Sequence, residues 1–135
     1  FATMAENGSM LNTPPTFAIY MAKLVFEWID SMGGVDEIYL RNREKAGLLY
    51  DFIDNSKLFR GNVEREFRSL MNVTFSTGSK ELDSKFTGEA AKNSLVSLAG
   101  HKSAGGIRAS IYNAMPPDGV KALISFMKKF ESENI

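Results

Sequence analysis

The chain has no cysteine, one histidine, one tryptophan and four prolines in 135 residues. Without cysteine there is no disulfide to staple the fold and no thiolate to act as nucleophile or metal ligand. A lone histidine, His101, makes no metal cluster. Lysine plus arginine and aspartate plus glutamate balance at 16 each, for a formal net charge of zero. That balance argues against a nucleic-acid or anionic-membrane surface held by bulk electrostatics, so any anion site has to be local. No apolar run approaches the roughly 20 residues that span a bilayer. The N-terminus lacks a basic segment leading into an apolar signal core. We therefore expect a cytoplasmic protein with neither a nucleic-acid nor a membrane partner. There is no internal repeat or low-complexity tract. The chain opens on Phe1 rather than methionine, and the expectation is a processed start or a piece of a longer polypeptide.

What is present is enough for one real core, with 44% hydrophobic residues. Phe1 to Leu11 has no periodicity and reads as an irregular lead-in. The first proline pair, in Asn12-Thr13-Pro14-Pro15, predicts a helix start with Thr13 as N-cap and Pro14 as first helical residue. Phe17, Met21, Leu24 and Trp28 recur at helical spacing, widened by Tyr20, Val25, Ile29 and Met32. This pattern predicts a helix buried on two sides and ending at Gly33-Gly34. A second helix is expected from Val35 to Asp54, with Val35, Ile38, Asn42, Ala46, Leu49 and Ile53 along one face. Asn42 interrupts that stripe and reads as a buried amide bonded to backbone.

Asn55 to Arg68 reads as a connection, and the alternation of Leu70 to Phe75 as a strand. Ser79 to Asn93 carries Leu82, Phe86 and Ala90 at a spacing of four, for a one-sided helix. A short strand at Leu95 to Leu98, a glycine-rich loop and a strand from Ile107 to Tyr112 should follow. In that last strand Ile107, Ala109 and Ile111 face the core, while Arg108, Ser110 and Tyr112 face away. The second proline pair, Pro116-Pro117, opens a helix striped by Val120, Leu123, Ile124, Met127 and Phe130. The fold class is α/β: a small, mostly antiparallel sheet with helices on one face. Residues 1–34 form a lead-in and first helix at a domain edge, and residues 35–135 the small α/β domain.

The chemistry concentrates in Gly100-His101-Lys102-Ser103-Ala104-Gly105-Gly106-Ile107-Arg108. A strand arginine can present two parallel hydrogen bonds to a carboxylate, while a histidine and a lysine on the preceding loop suit a more diffuse anion such as a phosphate. Taken singly, His101 reads as a loop histidine bonded to backbone, Lys102 as a solvated cation, and Gly105 and Gly106 as turn residues with positive φ. Arg108 needs an acidic partner or a ligand, and the sequence leaves both open. Asn12 and Thr13 read as cap residues, or as an amide and a hydroxyl beside backbone N–H groups suited to a phosphate. No aspartate, glutamate or serine forms a recognisable catalytic pair or triad.

Three stretches together carry a family resemblance: Ser9 to Tyr20 with its Asn-Thr-Pro-Pro, Arg68 to Val73, and Gly100 to Met115. In this order and separation the chain resembles the C-terminal part of the phosphoserine aminotransferases, from about Ser9 onward. The resemblance implies a small C-terminal domain of a pyridoxal-phosphate-dependent transferase fold. It also implies a homodimer that exchanges an amino group between glutamate and 3-phosphohydroxypyruvate. It makes Arg108 the clamp on the substrate carboxylate, sets His101 and Lys102 against the substrate phosphate or distal carboxylate, and brings Asn12 and Thr13 to the cofactor phosphate of the partner subunit. The family usually has arginine at Lys102 and valine at Ala104. Lysine keeps the charge without the planar fork. The family's Schiff-base lysine lies in the upstream large domain, so the resemblance places no catalytic residue in this segment and implies that the segment alone is inactive. A non-catalytic module that binds a small acid on the Arg108 face and a plain interaction domain share the same composition and periodicity.

Overall fold

The computed structural model describes residues 1–135 as two compact units, Phe1–Ile38 and Tyr39–Ile135. The first unit holds α1, Ala2–Glu6, and α2, Thr16–Ser31, followed by the start of α3, Gly34–Asn55. The irregular lead-in expected before Asn12 thus contains one short helix. α2 begins two residues later than the proline rule predicts: Pro15 occupies the cap position and no side chain caps the helix. Thr13 is therefore not an N-cap. Nor is α2 buried on two sides, since none of its residues is buried and Phe17 and Phe26 are 77% and 67% exposed. A 38-residue unit made only of helices has too little interior to cover both apolar faces of one of them.

The second unit takes in the rest of α3, then β1 (Arg60–Gly61), a 3-10 turn at Arg65–Phe67, β2 (Asn72–Ser76), α4 (Lys80–Lys92), β3 (Ile107–Ser110) and α5 (Pro117–Asn134). The three strands form one antiparallel sheet in the order β1-β2-β3. Val73 pairs with Ala109 and Phe75 with Ile107, which puts all four on one buried face. Ala46, Leu49 and Ile53 of α3, Phe86 and Ala90 of α4, and Val120, Leu123, Met127 and Phe130 of α5 join them in a single core. Phe86 packs edge to face against both Phe59 and Phe130, with ring centroids 5.2 Å apart in each pair. That geometry suits the negative face and positive rim of aromatic rings.

The strand expected at Leu95 to Leu98 is absent. Ser94 and Ser97 sit at φ 63° and 62°, which interrupts extended backbone, and only Ala99 forms a bridge, to Ile107. The Asn55 to Arg68 connection instead contributes β1, a two-residue edge strand. The apolar face of α3 is buried from Ile38 to Ile53, whereas Val35, assigned to it by periodicity, is 73% exposed.

Candidate functional site

With Val73 and Phe75 turned into the core, the strand alternation sends Asn72, Thr74 and Ser76 to the opposite face of β2, and Arg108 and Ser110 to the same face of β3. Thr74 lies directly across from Arg108, and Ser110 Oγ donates to Asn72 Oδ1 at 3.0 Å. This polar face floors a cleft of about 1130 Å³, walled by the start of α4 on one side and by the glycine-rich loop on the other. His101, Lys102 and Arg108 all line it, so the structure gathers these three expected site residues in one place.

The loop is closed on itself. Gly100 N–H donates to Gly106 C=O at 2.9 Å, and the His101 carbonyl accepts from the N–H groups of Ala104 at 3.0 Å and Gly105 at 2.8 Å. Gly105 and Gly106 both have φ of 70°, the left-handed region that the sequence assigned to them. Gly100 is needed for a different reason. A Cβ there would fall against the Gly105 carbonyl group, 2.7 Å from its carbon.

His101 is exposed, and its ring is bonded to backbone as expected, through the N–H of Ser103, and also to the Ser103 hydroxyl. The Ser103 hydroxyl lies 2.7 Å from Nδ1, and the Ser103 N–H donates to the same nitrogen at 3.3 Å. A backbone N–H can only donate, so Nδ1 is the acceptor. The neutral ring then carries its proton on Nε2, where it is free to bond an anion.

Arg108 is held by its backbone, whose N–H donates to the Leu98 carbonyl at 2.8 Å. Its Nε is buried and has no hydrogen-bond partner. No aspartate or glutamate of this chain pairs with it. The charged groups around the cleft are Lys80, Lys102, Arg108 and a single carboxylate, Asp83. Asp83 Oδ1 is already engaged by Thr77, which donates its N–H and its hydroxyl at 2.8 Å each. The cleft is therefore cationic and suited to an anion. Lys80 and Thr74 escape sequence reasoning. β2 alternation sets Thr74 on the outer face, but only the register with β3 brings it opposite Arg108.

Asn12 and Thr13 lie in the first unit, exposed and without an internal hydrogen bond. The amide and hydroxyl are thus available as donors to an external oxyanion. Asn42 departs from its expected backbone pairing. Its Nδ2 donates to the side chain of Asn113 at 2.8 Å, and its own Oδ1 is buried without a partner. Lys45, one turn further along α3, is 2% exposed, and burial pushes its pKa below the ordinary lysine value. Its Nζ donates to the carbonyls of Tyr112 at 2.8 Å, Met115 at 2.9 Å and Ile111 at 3.4 Å.

A small antiparallel sheet backed by helices, with a cationic cleft on its outer face, defines an α/β domain whose charge suits a small anion. The model of the class-V aminotransferases matches residues 2–123, and the chain belongs to that family. Among curated relatives, the chain is 57% identical to the phosphoserine aminotransferase of Haemophilus influenzae and 53% identical to that of Bacillus cereus. It aligns over 100% and 99% of its own length and 37% of theirs. Among solved structures it superposes on the phosphoserine aminotransferase of Bacillus circulans subsp. alkalophilus with a TM-score of 0.93 at 44% identity, covering 99% of this chain and 37% of that one. The Trichomonas vaginalis phosphoserine aminotransferase, solved with pyridoxal phosphate bound, gives 0.85 at 40% identity, covering 93% and 36%. The chain thus spans somewhat over a third of the length of these relatives.

Proposed function

We propose that this chain is the C-terminal part of a phosphoserine aminotransferase, which moves the amino group of glutamate to 3-phosphohydroxypyruvate and yields 2-oxoglutarate and phosphoserine. The observation that carries the reading is Arg108. Its guanidinium stands on a strand in a cationic cleft, with one N–H buried and unpaired. Both amino-group donor and acceptor bear an α-carboxylate, and a planar guanidinium binds such a group through two parallel hydrogen bonds. His101 donates through Nε2–H, and Lys102 supplies positive charge, to the substrate phosphate or distal carboxylate. Asn12 and Thr13 would donate to the phosphate of pyridoxal phosphate held mainly by the partner subunit.

Bound pyridoxal phosphate supplies the electron sink on which amino-group transfer depends. This segment's residues bind and orient the substrate around it. The most buried lysine, Lys45, is committed to three carbonyls, which agrees with a cofactor lysine located upstream. In this reading residues 1–34 lie at the edge of that upstream domain, residues 35–135 form the small domain, and two copies assemble as a cytoplasmic homodimer.

The test is a transamination assay on the full-length protein, with glutamate as donor and 3-phosphohydroxypyruvate or unphosphorylated hydroxypyruvate as acceptor. The expected result is a preference for the phosphorylated acceptor of about a hundredfold or more, on the order of 3 kcal/mol. Activity without that preference would move the protein to another aminotransferase specificity. No activity would favour a module that binds an acid without turning it over.

A further inference from the structure

Lys45 has no part in the chemistry above, yet it is among the most deeply buried side chains of the molecule. An ammonium in the interior has a desolvation cost of several kcal/mol and persists where its donors are matched. Here the match is complete: three N–H donors and three carbonyls, all from one short connection, Ile111 to Met115. No carboxylate pairs with it. One turn earlier on α3, Asn42 binds Asn113 in the middle of the same connection. Two polar side chains on the core-facing side of one helix thus grip the five residues that follow β3.

Those five residues bear directly on the cleft. Ile111 is three residues beyond Arg108, and its N–H continues the ladder by donating to the Met71 carbonyl at 2.8 Å. Tyr112 lines the cleft. The strand that presents Arg108 is therefore tied at its N-terminal end by the closed loop, through Gly100 and Gly106. At its C-terminal end it is tied by Lys45. A guanidinium engages a carboxylate through two bonds only when its backbone is held in place, and small misplacements of a binding group are costly.

We propose that Lys45 is the positioning residue for Arg108, fixing the C-terminal end of β3 and the Tyr112 turn so that the guanidinium is preset for a substrate carboxylate. The proposal rests on the reading of Arg108 as the carboxylate clamp. It is tested in the full-length, cofactor-loaded protein by measuring glutamate dissociation constants, glutamate KM against kcat, and hydrogen exchange of the 111–115 amides.

Lys45→Met keeps the length of the side chain and removes all three donors. The expected result is a folded protein with faster exchange at 111–115, glutamate bound at least tenfold more weakly, and KM raised more than kcat is lowered. On an Arg108→Lys background the same change should weaken glutamate by less than twofold, because the group it positions has already lost its fork. Glutamate affinity within twofold of the parent in Lys45→Met, or full multiplication of the two losses, would overturn the proposal and leave Lys45 a stability element. Should Lys45→Met not fold, Asn113→Ala, at an exposed position, loosens the same connection. A threefold or greater loss that vanishes on the Arg108→Lys background supports the proposal, and unchanged affinity overturns it. Arg108→Lys binding glutamate as the parent does would refute the clamp itself and the proposal with it. A weakened Arg108→Lys beside an unaffected Lys45→Met would refute the proposal alone.

Discussion

Thr74 and Arg108 occupy facing positions of the β2–β3 ladder, so the only arginine of β3 stands beside a short hydroxyl side chain rather than an acid. A glutamate at that position would give the guanidinium a counter-ion inside the chain. Threonine leaves it without a carboxylate partner across the ladder, its Nε buried and unpaired. We expect Arg108→Lys in the full-length protein to reduce kcat/KM by about 2 to 4 kcal/mol, since a two-pronged contact becomes a point contact and leaves carboxylate oxygens without donors. Thr74→Glu should produce a loss of similar size by supplying the missing acid inside the protein. Steady-state kinetics with glutamate decides both, and an unchanged kcat/KM in Arg108→Lys would take that residue out of the site.

Ser103 acts on His101 through Nδ1, by hydroxyl and by backbone. Removing the hydroxyl in Ser103→Ala leaves only the longer contact and frees the ring to turn. The phosphorylated acceptor should then lose more affinity than the unphosphorylated one, by a factor of a few, in line with one hydrogen bond of about 1 kcal/mol. Equal losses for the two acceptors would mean that Ser103 merely shapes the loop. Ser103→Thr, which keeps the hydroxyl, should restore the discrimination.

Much of this arrangement can be read from the sequence, because it follows from side-chain period. The buried side of α3 from Ile38 to Ile53, the Val73/Phe75 and Ile107/Ala109 faces and the α5 stripe all come from local spacing. Arg108 is exposed to the cleft for the same reason. What stays hidden depends on distant partners. β1 is two residues long and exists only as an edge on Phe75 and Ser76, so it has no period to detect. Lys45 sits beside Ala46 on a core-facing surface, and its burial depends on carbonyls 66 to 70 residues away that accept its hydrogen bonds, which no local spacing shows. The polar neighbours of Arg108 are set by strand register. The misplaced start of α2 has another origin: the Pro14-Pro15 pair extends the chain past Thr13, so the helix begins only at Thr16.

Gly100→Ala tests the closure of the loop. The added methyl would be driven against the backbone of Gly105 and Gly106, which cannot move without breaking the Gly100–Gly106 hydrogen bond. We expect a loss of stability of about 1 to 3 kcal/mol by denaturant titration, together with weaker use of the phosphorylated acceptor. Gly105→Ala has open space around its Cβ. Its cost should be the left-handed backbone alone, about 1 to 2 kcal/mol. If Gly100→Ala proved the milder of the two, the closed loop would not be a determinant of the site.

Glu131 on α5 controls how the second unit responds to acid. Its Oε1 accepts from the Ser56 hydroxyl at 2.9 Å and from the N–H groups of Lys57 at 2.6 Å and Leu58 at 3.0 Å, tying the end of α3 to α5. Burial by itself would raise its pKa, but the bonds from Ser56, Leu58 and Lys57, with the charge of Lys57, outweigh it and hold the carboxyl below the ordinary glutamate value. Asp54 is lowered as well, chiefly by its hydrogen bond from Arg68. A carboxylate whose pKa is lower in the folded than in the unfolded chain adds stability that is complete above the unfolded value and is lost as pH falls through the folded one. Stability should therefore be flat near neutrality and fall from about pH 5 downward. Glu131→Gln should lose about 1 to 2 kcal/mol at pH 7, because a charge-assisted acceptor becomes a neutral one. It should also fall less steeply than the parent in acid, having less to lose. Denaturant midpoints of both proteins at pH 7 and pH 3.5 decide the matter. Parallel acid losses would show that other carboxylates, Asp54 first among them, carry the acid response.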